Sequence, residues 1–236
     1  FMENRPEIAW RLAYEREKED PGYDAIADPE TGYPEGYGPT SQEVLILAFL
    51  SAYSGKSIND IPLEIFPAIK YMKPNWKVTY DGLTKIDFIK KYLRSCTLAH
   101  GYAASYSVGN YVTNIEYNAN ADGFSYVRDQ LGNYLPEYDI GGFALSEQFT
   151  PLFGIDMTWN NSLITKLEFK RTRNLSMSLA NNQLTENSSK EIVIGTGYRF
   201  KEVEIIINSG GRQHPFKSDL NLRADFSIRD NISIPR

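Results

Sequence analysis

Glu191-Ile-Val-Ile-Gly-Thr-Gly-Tyr-Arg-Phe-Lys201 and Asp219-Leu-Asn-Leu-Arg-Ala-Asp-Phe-Ser-Ile-Arg229 decide how this chain is read. In the first stretch Ile192, Ile194, Thr196, Tyr198 and Phe200 share one parity, and Glu191, Val193, Gly195, Gly197, Arg199 and Lys201 share the other. The second repeats the scheme, with Leu220, Leu222, Ala224, Phe226 and Ile228 on one side and Asp219, Asn221, Arg223, Asp225, Ser227 and Arg229 opposite. A side-chain period of two over about 10 residues predicts a strand with one apolar and one solvated face. Roughly 9–11 such residues also cross an outer membrane, with lipid on one side and a polar lumen on the other. Antiparallel strands of soluble sandwiches alternate too, so both readings follow from these stretches.

Composition narrows the classes. The chain has 236 residues, enough for a sizeable core. A net charge of -5 and a pI near 5.2 do not describe a nucleic-acid surface, so no nucleic acid is expected as a partner. Cys96 is the single cysteine, which excludes an internal disulfide or a cysteine-rich metal site. The longest apolar run, Val44 to Leu50, is far short of a membrane-spanning helix. A mean hydropathy of -0.42 still permits a membrane barrel, because half of each strand is polar. The opening residues Phe1-Met2-Glu3-Asn4 do not read as a secretory signal. Sixteen tyrosines and three tryptophans are many, and such rings suit boundaries between apolar and wet surroundings.

Along the chain, residues 1–75 read as helical and irregular, and residues 76–236 as antiparallel meander strands, a mainly β fold. Glu3 to Asp20 predicts a largely solvated helix with Ile8 and Leu12 on one side. Pro21 to Pro39 is turn-rich; its carboxylates Asp24, Asp28, Glu30 and Glu35 do not have the spacing of a calcium loop. Thr40-Ser41 starts a helix that runs to about Tyr53 and stops at Gly55, buried through Val44–Leu50. Pro62, Pro67 and Pro74 resist a regular element.

Trp76–Tyr80 predicts a brief strand, followed by an Asp81-Gly82 turn and a short helix from about Lys85 to Tyr92. From Leu93 the period is two, with Cys96, Leu98, His100, Tyr102, Ala104 and Tyr106 on one face and a turn at Gly109-Asn110. Residues 119–139 read as a polar surface loop. Phe143–Trp159 reads as an edge, bulged or interrupted strand because of Pro151. Asn160-Asn161 is a turn, and Leu163–Ala180 a strand whose apolar parity Arg171 and Arg173 interrupt. Asn181–Ser189 reads as a loop before a strand from Lys190 to about Ile207. Six strands cannot close a membrane barrel, which needs about eight, so the chain is either a soluble sheet or a section of a larger barrel.

Five ordered segments carry a resemblance. Gly36-Tyr-Gly-Pro-Thr-Ser-Gln-Glu-Val-Leu45, Pro74-Asn-Trp-Lys-Val-Thr-Tyr-Asp-Gly-Leu83, Ser146-Glu-Gln-Phe-Thr-Pro-Leu-Phe-Gly-Ile-Asp-Met157, Leu175-Ser-Met-Ser-Leu-Ala-Asn-Asn-Gln-Leu-Thr-Glu186 and Gly195-Thr-Gly-Tyr-Arg-Phe-Lys201 resemble the C-terminal part of the SprA/Sov family. That family is the outer-membrane translocon of the type IX secretion system, associated with gliding motility. The resemblance spans about Tyr33 to Asp230 and implies a section of a very large transmembrane β-barrel that exports folded cargo to the cell surface. It implies secreted cargo proteins, other secretion components at the barrel wall and outer-membrane lipid as partners. Family members are many times longer and begin with a signal sequence, so this chain reads as a piece of one. Cys96 stands where the family pattern leads one to expect an ordinary strand residue.

On this reading Ile192, Ile194, Tyr198, Phe200, Leu220, Leu222, Phe226 and Ile228 face lipid. Arg199, Lys201, Asn221, Arg223, Asp225 and Arg229 face the lumen. No catalytic, cofactor or metal site is expected. His100 and His214 are the only histidines, and Ser95, Ser105 and Ser107 belong to no nucleophile motif. Asp156 and Glu168 read as isolated carboxylates, and Gly195-Thr-Gly197 as a strand feature because no helix follows to make a phosphate loop. The alternative is a soluble β-rich surface or carbohydrate-binding domain. Rings in two levels at strand ends would indicate a bilayer; rings gathered in one groove would indicate a glycan site.

Overall fold

A computed structural model describes residues 1–53, 57–64, 74–121, 123–209 and 212–235. Six strands form one sheet in chain order: β1 (Trp76–Tyr80), β2 (Leu93–Thr113), β3 (Tyr138–Trp159), β4 (Leu163–Ser178), β5 (Gln183–Ser209) and β6 (Arg212–Pro235). Sequential neighbours pair as an antiparallel meander. Helices α1 (Asn4–Glu19) and α2 (Gln42–Tyr53) precede the sheet, and a single turn of helix, α3 (Asp87–Lys90), lies between β1 and β2.

The compact units do not divide at residue 75. One gathers Phe1–Lys73, Tyr106–Ala144 and Ser176–Leu184; the other gathers Pro74–Ser105, Leu145–Leu175 and Thr185–Arg236. In the first unit, α2 is buried from Val44 to Ser51, and Phe49 meets Phe143 edge-on at 4.6 Å between ring centroids. Its start is clamped to β3, since Gln42 Nε2 donates to the Tyr138 carbonyl at 2.7 Å and the Ile140 N–H donates to Gln42 Oε1 at 2.8 Å. The helix α1, expected to be mainly solvated, instead buries Ile8, Ala9, Leu12, Ala13 and Arg16. The stripe through Ile8 and Leu12 was visible in the sequence, but its narrowness among charged neighbours did not announce the burial that also takes in Ala9 and Arg16.

Several boundaries also change. Gly109-Asn110 does not reverse the chain: β2 continues to Thr113, with Asn110 at φ 51, a conformation asparagine tolerates. β3 runs unbroken through Pro151 and lies between β2 and β4, so it is neither an edge nor interrupted. The loop expected at 181–189 shrinks to a tight turn, because β5 begins at Gln183 and pairs Thr185 with Pro235. The connection 114–137 is no simple surface loop: Asn133 and Ser125 within it are buried. The expectations for the helix stop at Gly55 and for most of the proline-rich stretch fall outside the described residues, and nothing is described of the His214 side chain.

Candidate functional site

The candidate site is the two-faced sheet of the second unit. On β5 and β6 the register pairs like with like: Ile192 with Ile228, Ile194 with Phe226, Tyr198 with Leu222 and Phe200 with Leu220. All eight of these side chains are exposed, from 40% at Phe200 to 63% at Phe226, and Ile232 and Ile234 continue the stripe. Cross-strand apolar pairs stabilise a sheet, but an uncovered stripe of this length would be costly in water.

The opposite parity carries an ionic ladder. Glu191 pairs with Arg229 at 2.9 Å, Arg199 with Asp219 at 2.7 Å, and Arg223 with Asp225 at 2.9 Å. Asn221 stands across from Arg199 in the register. Glu168, expected to be isolated, lies between Lys166 at 2.8 Å and Lys170 at 3.3 Å on β4. Lys201 departs from the expected alternation. The register slips between Phe200 and Val203, leaving Lys201 and Glu202 in a bulge, so parity no longer assigns Lys201 to a face.

Aromatic rings mark two levels on this unit. At one level, the Asn160 N–H donates to the Tyr92 carbonyl at 3.1 Å, and the Arg199 N–H donates to the Ser162 carbonyl at 3.1 Å. These bonds set the backbone of Tyr92 and of Arg199, which is flanked by the contacting rings of Tyr198 and Phe200, against the turn that follows Trp159. At the other level Trp76 stacks on Tyr102 with centroids 4.4 Å apart, and Tyr102 meets Phe149 at 4.9 Å. On β3 the levels are ten residues apart, Phe149 to Trp159, and Tyr92, in the turn just before β2, precedes Tyr102 by the same count.

Between the levels, strand alternation puts Leu98, Phe153, Ile155, Met157, Leu167 and Phe169 on the face that carries the rings. Arg171 and Arg173 interrupt the apolar parity of β4, which resumes at buried Leu175 and Met177 before the strand ends at Ser178. Arg173 pairs with Glu186 at 2.8 Å. His100 donates from Nδ1 to the Leu152 carbonyl at 2.7 Å.

The first unit contains a charged centre that sequence reasoning missed. Buried Arg16 donates from Nε to Asp20 at 3.0 Å and from Nη2 to the Ser125 carbonyl at 3.0 Å. Its guanidinium lies 3.9 Å from the ring centroid of Tyr134, with Tyr126, Phe124 and Tyr23 within 5.2 Å. Stacked, desolvated guanidinium groups are strongly held by such rings. Burial disfavours the Asp20 carboxylate, but hydrogen bonds from the Tyr126 hydroxyl, the Gly22 N–H and Arg16 outweigh it and hold Asp20 below its ordinary value. Burial raises the Tyr23 hydroxyl to about 12.

Glu43 behaves oppositely: desolvation pushes its carboxyl up, with the Arg16 charge opposing. Glu43 and Arg16 line a cavity of about 370 Å³ together with Tyr37, Tyr117 and Phe124. A second cavity of about 430 Å³ is lined by Asn110, Asn114, Asp129, Asn133 and Tyr134 among others.

Two acidic residues of the turn-rich segment have partners, one local and one distant. Asp28 accepts from the Glu30 and Thr31 N–H groups, and Glu35 pairs with Arg128 at 3.2 Å. Gly36 in that segment has φ +83 and lies beneath the Tyr134 ring, where a Cβ would collide. No family model matches this sequence, and no curated protein matches it.

Proposed function

We propose that this chain forms a section of the wall of a very large outer-membrane β-barrel, within a protein-conducting channel of the type IX secretion kind. One observation carries the membrane reading: an apolar sheet face, exposed along β5 and β6, with two groups of rings ten residues apart along β3 at Phe149 and Trp159. Ten residues of strand rise about 33 Å. At the tilt of roughly 40° found in such barrels, that is a band about 25 Å tall, the height of their apolar belt. The ionic ladder then lines a wet lumen, where paired charges keep water in and give passing protein little apolar surface to adhere to.

The secretion assignment rests on the resemblance of the five ordered segments. Through it, folded cargo proteins are the transported species, and other secretion components dock on the barrel wall. No catalytic group or cofactor has a role in this reading.

Single cysteines at Asn221 and Leu222, in membranes and with Cys96 replaced, test it. Position 221 should react with a water-soluble reagent, and a label at position 222 should be quenched from lipid. Equal aqueous reactivity, or the reverse order, removes the barrel reading. It would leave the soluble carbohydrate-binding alternative, which the Asn- and Tyr-lined cavity of the first unit favours.

A further inference from the structure

The connection between β1 and β2 concentrates two kinds of exposed side chain that seldom occur together. Phe88 is 74% exposed, the most exposed aromatic ring among the described residues, and Ile86 and Tyr92 are 51% and 47% exposed. Interleaved with them, Lys85, Lys90, Lys91 and Arg94 are exposed, against Asp81 and Asp87. The segment is shaped: a 3₁₀ turn at Gly82–Lys85 leads into α3, and the Ile86 carbonyl accepts from both Ile89 and Lys90. Asn160 pins its end to the β3–β4 turn, donating from Nδ2 to the Lys91 carbonyl at 2.9 Å. Phe88 packs edge-on to Tyr92 at 5.6 Å, and the Lys91 ammonium lies 5.6 Å from the Tyr92 ring centroid.

A loop facing only water would have no reason to hold an exposed phenylalanine and isoleucine in place. Rings and aliphatic side chains backed by lysines match the interfacial layer of a bilayer, where apolar groups enter and cations stay with the headgroups. The segment also lies at the ring level of Tyr92 and Trp159, so it continues the boundary of the apolar band. We propose that this connection is an interface anchor, seating Ile86, Phe88 and Tyr92 among lipid headgroups while Lys85, Lys90, Lys91 and Arg94 bind the phosphates of an anionic lipid surface. The inference rests on the barrel reading and adds to it a lipid class and the residues that select it.

The test uses the full chain. Phe88→Cys in a Cys96→Ala background carries a fluorescent label, read against lipids with nitroxide at the headgroup or at the tail centre. The label at 88 should be quenched more from the headgroup, and a label at Leu222→Cys more from the tail. In flotation, vesicles of phosphatidylcholine with equal phosphatidylglycerol should bind the unmodified chain at least about tenfold more tightly than phosphatidylcholine alone, since each basic residue near an anionic surface adds appreciably. Lys85→Gln, Lys90→Gln and Lys91→Gln together should abolish that preference. Phe88→Ser should weaken binding to both vesicles. These side chains are exposed, so the far-ultraviolet circular dichroism of the variants should match the parent.

Equal binding of the unmodified chain to both compositions overturns the proposal, as does a charge preference that survives the triple variant. A label dark to both quenchers at 88 but quenched at 222 sinks the anchor and leaves the barrel reading standing. Labels beyond reach of lipid at both positions sink both.

Discussion

Gly197 on β5 lies so close to Leu222 on β6 that a Cβ added to the glycine would stand 2.9 Å from the leucine carbonyl oxygen. That oxygen is backbone and cannot swing aside. Gly197→Ala should therefore cost about 1–3 kcal/mol, despite the alanine's lower backbone entropy loss. At Gly195 the nearest obstacle is the end of the Asp225 side chain, which can rotate away. Gly195→Ala should be the milder change, measured by urea unfolding of the two variants in the same lipid or detergent.

Arginine at position 222 is placed against hydrocarbon on the barrel reading. Near the midplane Leu222→Arg should cost roughly 2–4 kcal/mol, and Asn221→Arg close to nothing. The measurement is reversible folding into vesicles. Equal costs would contradict the assignment of the faces.

The centre at Arg16 makes a sharper claim about the first unit. Arg16→Met leaves Asp20 buried without its cation and should cost on the order of 3–5 kcal/mol. Adding Asp20→Asn to Arg16→Met should recover part of that loss. Arg16→Lys should also destabilise, because a lysine cannot place a planar fork against both Asp20 and the Ser125 carbonyl. Thermal melts of the three variants check the order.

Two carboxyls in the same unit should give opposite pH responses. Asp20 is held below its ordinary value, so its contribution is complete above about pH 4 and disappears as pH falls through the depressed folded value. Glu43 is pushed up, so its contribution is complete below its ordinary value near pH 4.3 and is lost as pH rises through the raised folded value. Glu43→Gln should accordingly stabilise the protein at neutral pH, with the gain vanishing near pH 4. Melting temperatures of parent and variant across this range decide it.

Most of the sheet was legible because alternation is a local signal. Ile192 to Phe200 and Leu220 to Ile228 announce their faces without reference to any partner, and the register then pairs them as parity requires. Lys201 lost its parity assignment because a bulge adds a residue that period-two counting cannot see. The ionic ladder was half legible: the charges were visible, but their pairing depends on which strand lies opposite. The Arg16 centre was invisible. Ser125, Tyr126 and Tyr134 lie more than a hundred residues along the chain from Arg16 and Asp20, in a stretch that read as a polar surface loop. The two ring levels escaped notice for a related reason, since the β3–β4 turn beside Trp159 meets Tyr92 through hydrogen bonds from Asn160, 68 residues further along the chain.

The interleaving of the two units bears on how the chain is made. The first unit needs Ser176–Leu184 before it is complete, so α2 leaves the ribosome long before residues that belong to its own unit exist. Chains emerge N-terminal end first, and exposed apolar surface in the interval invites aggregation. The run Val44–Leu50, buried in the finished structure, is the surface at risk during that wait. A product truncated before residue 176 should retain this liability permanently, so a holding factor bound to the early chain would have its most useful grip on α2.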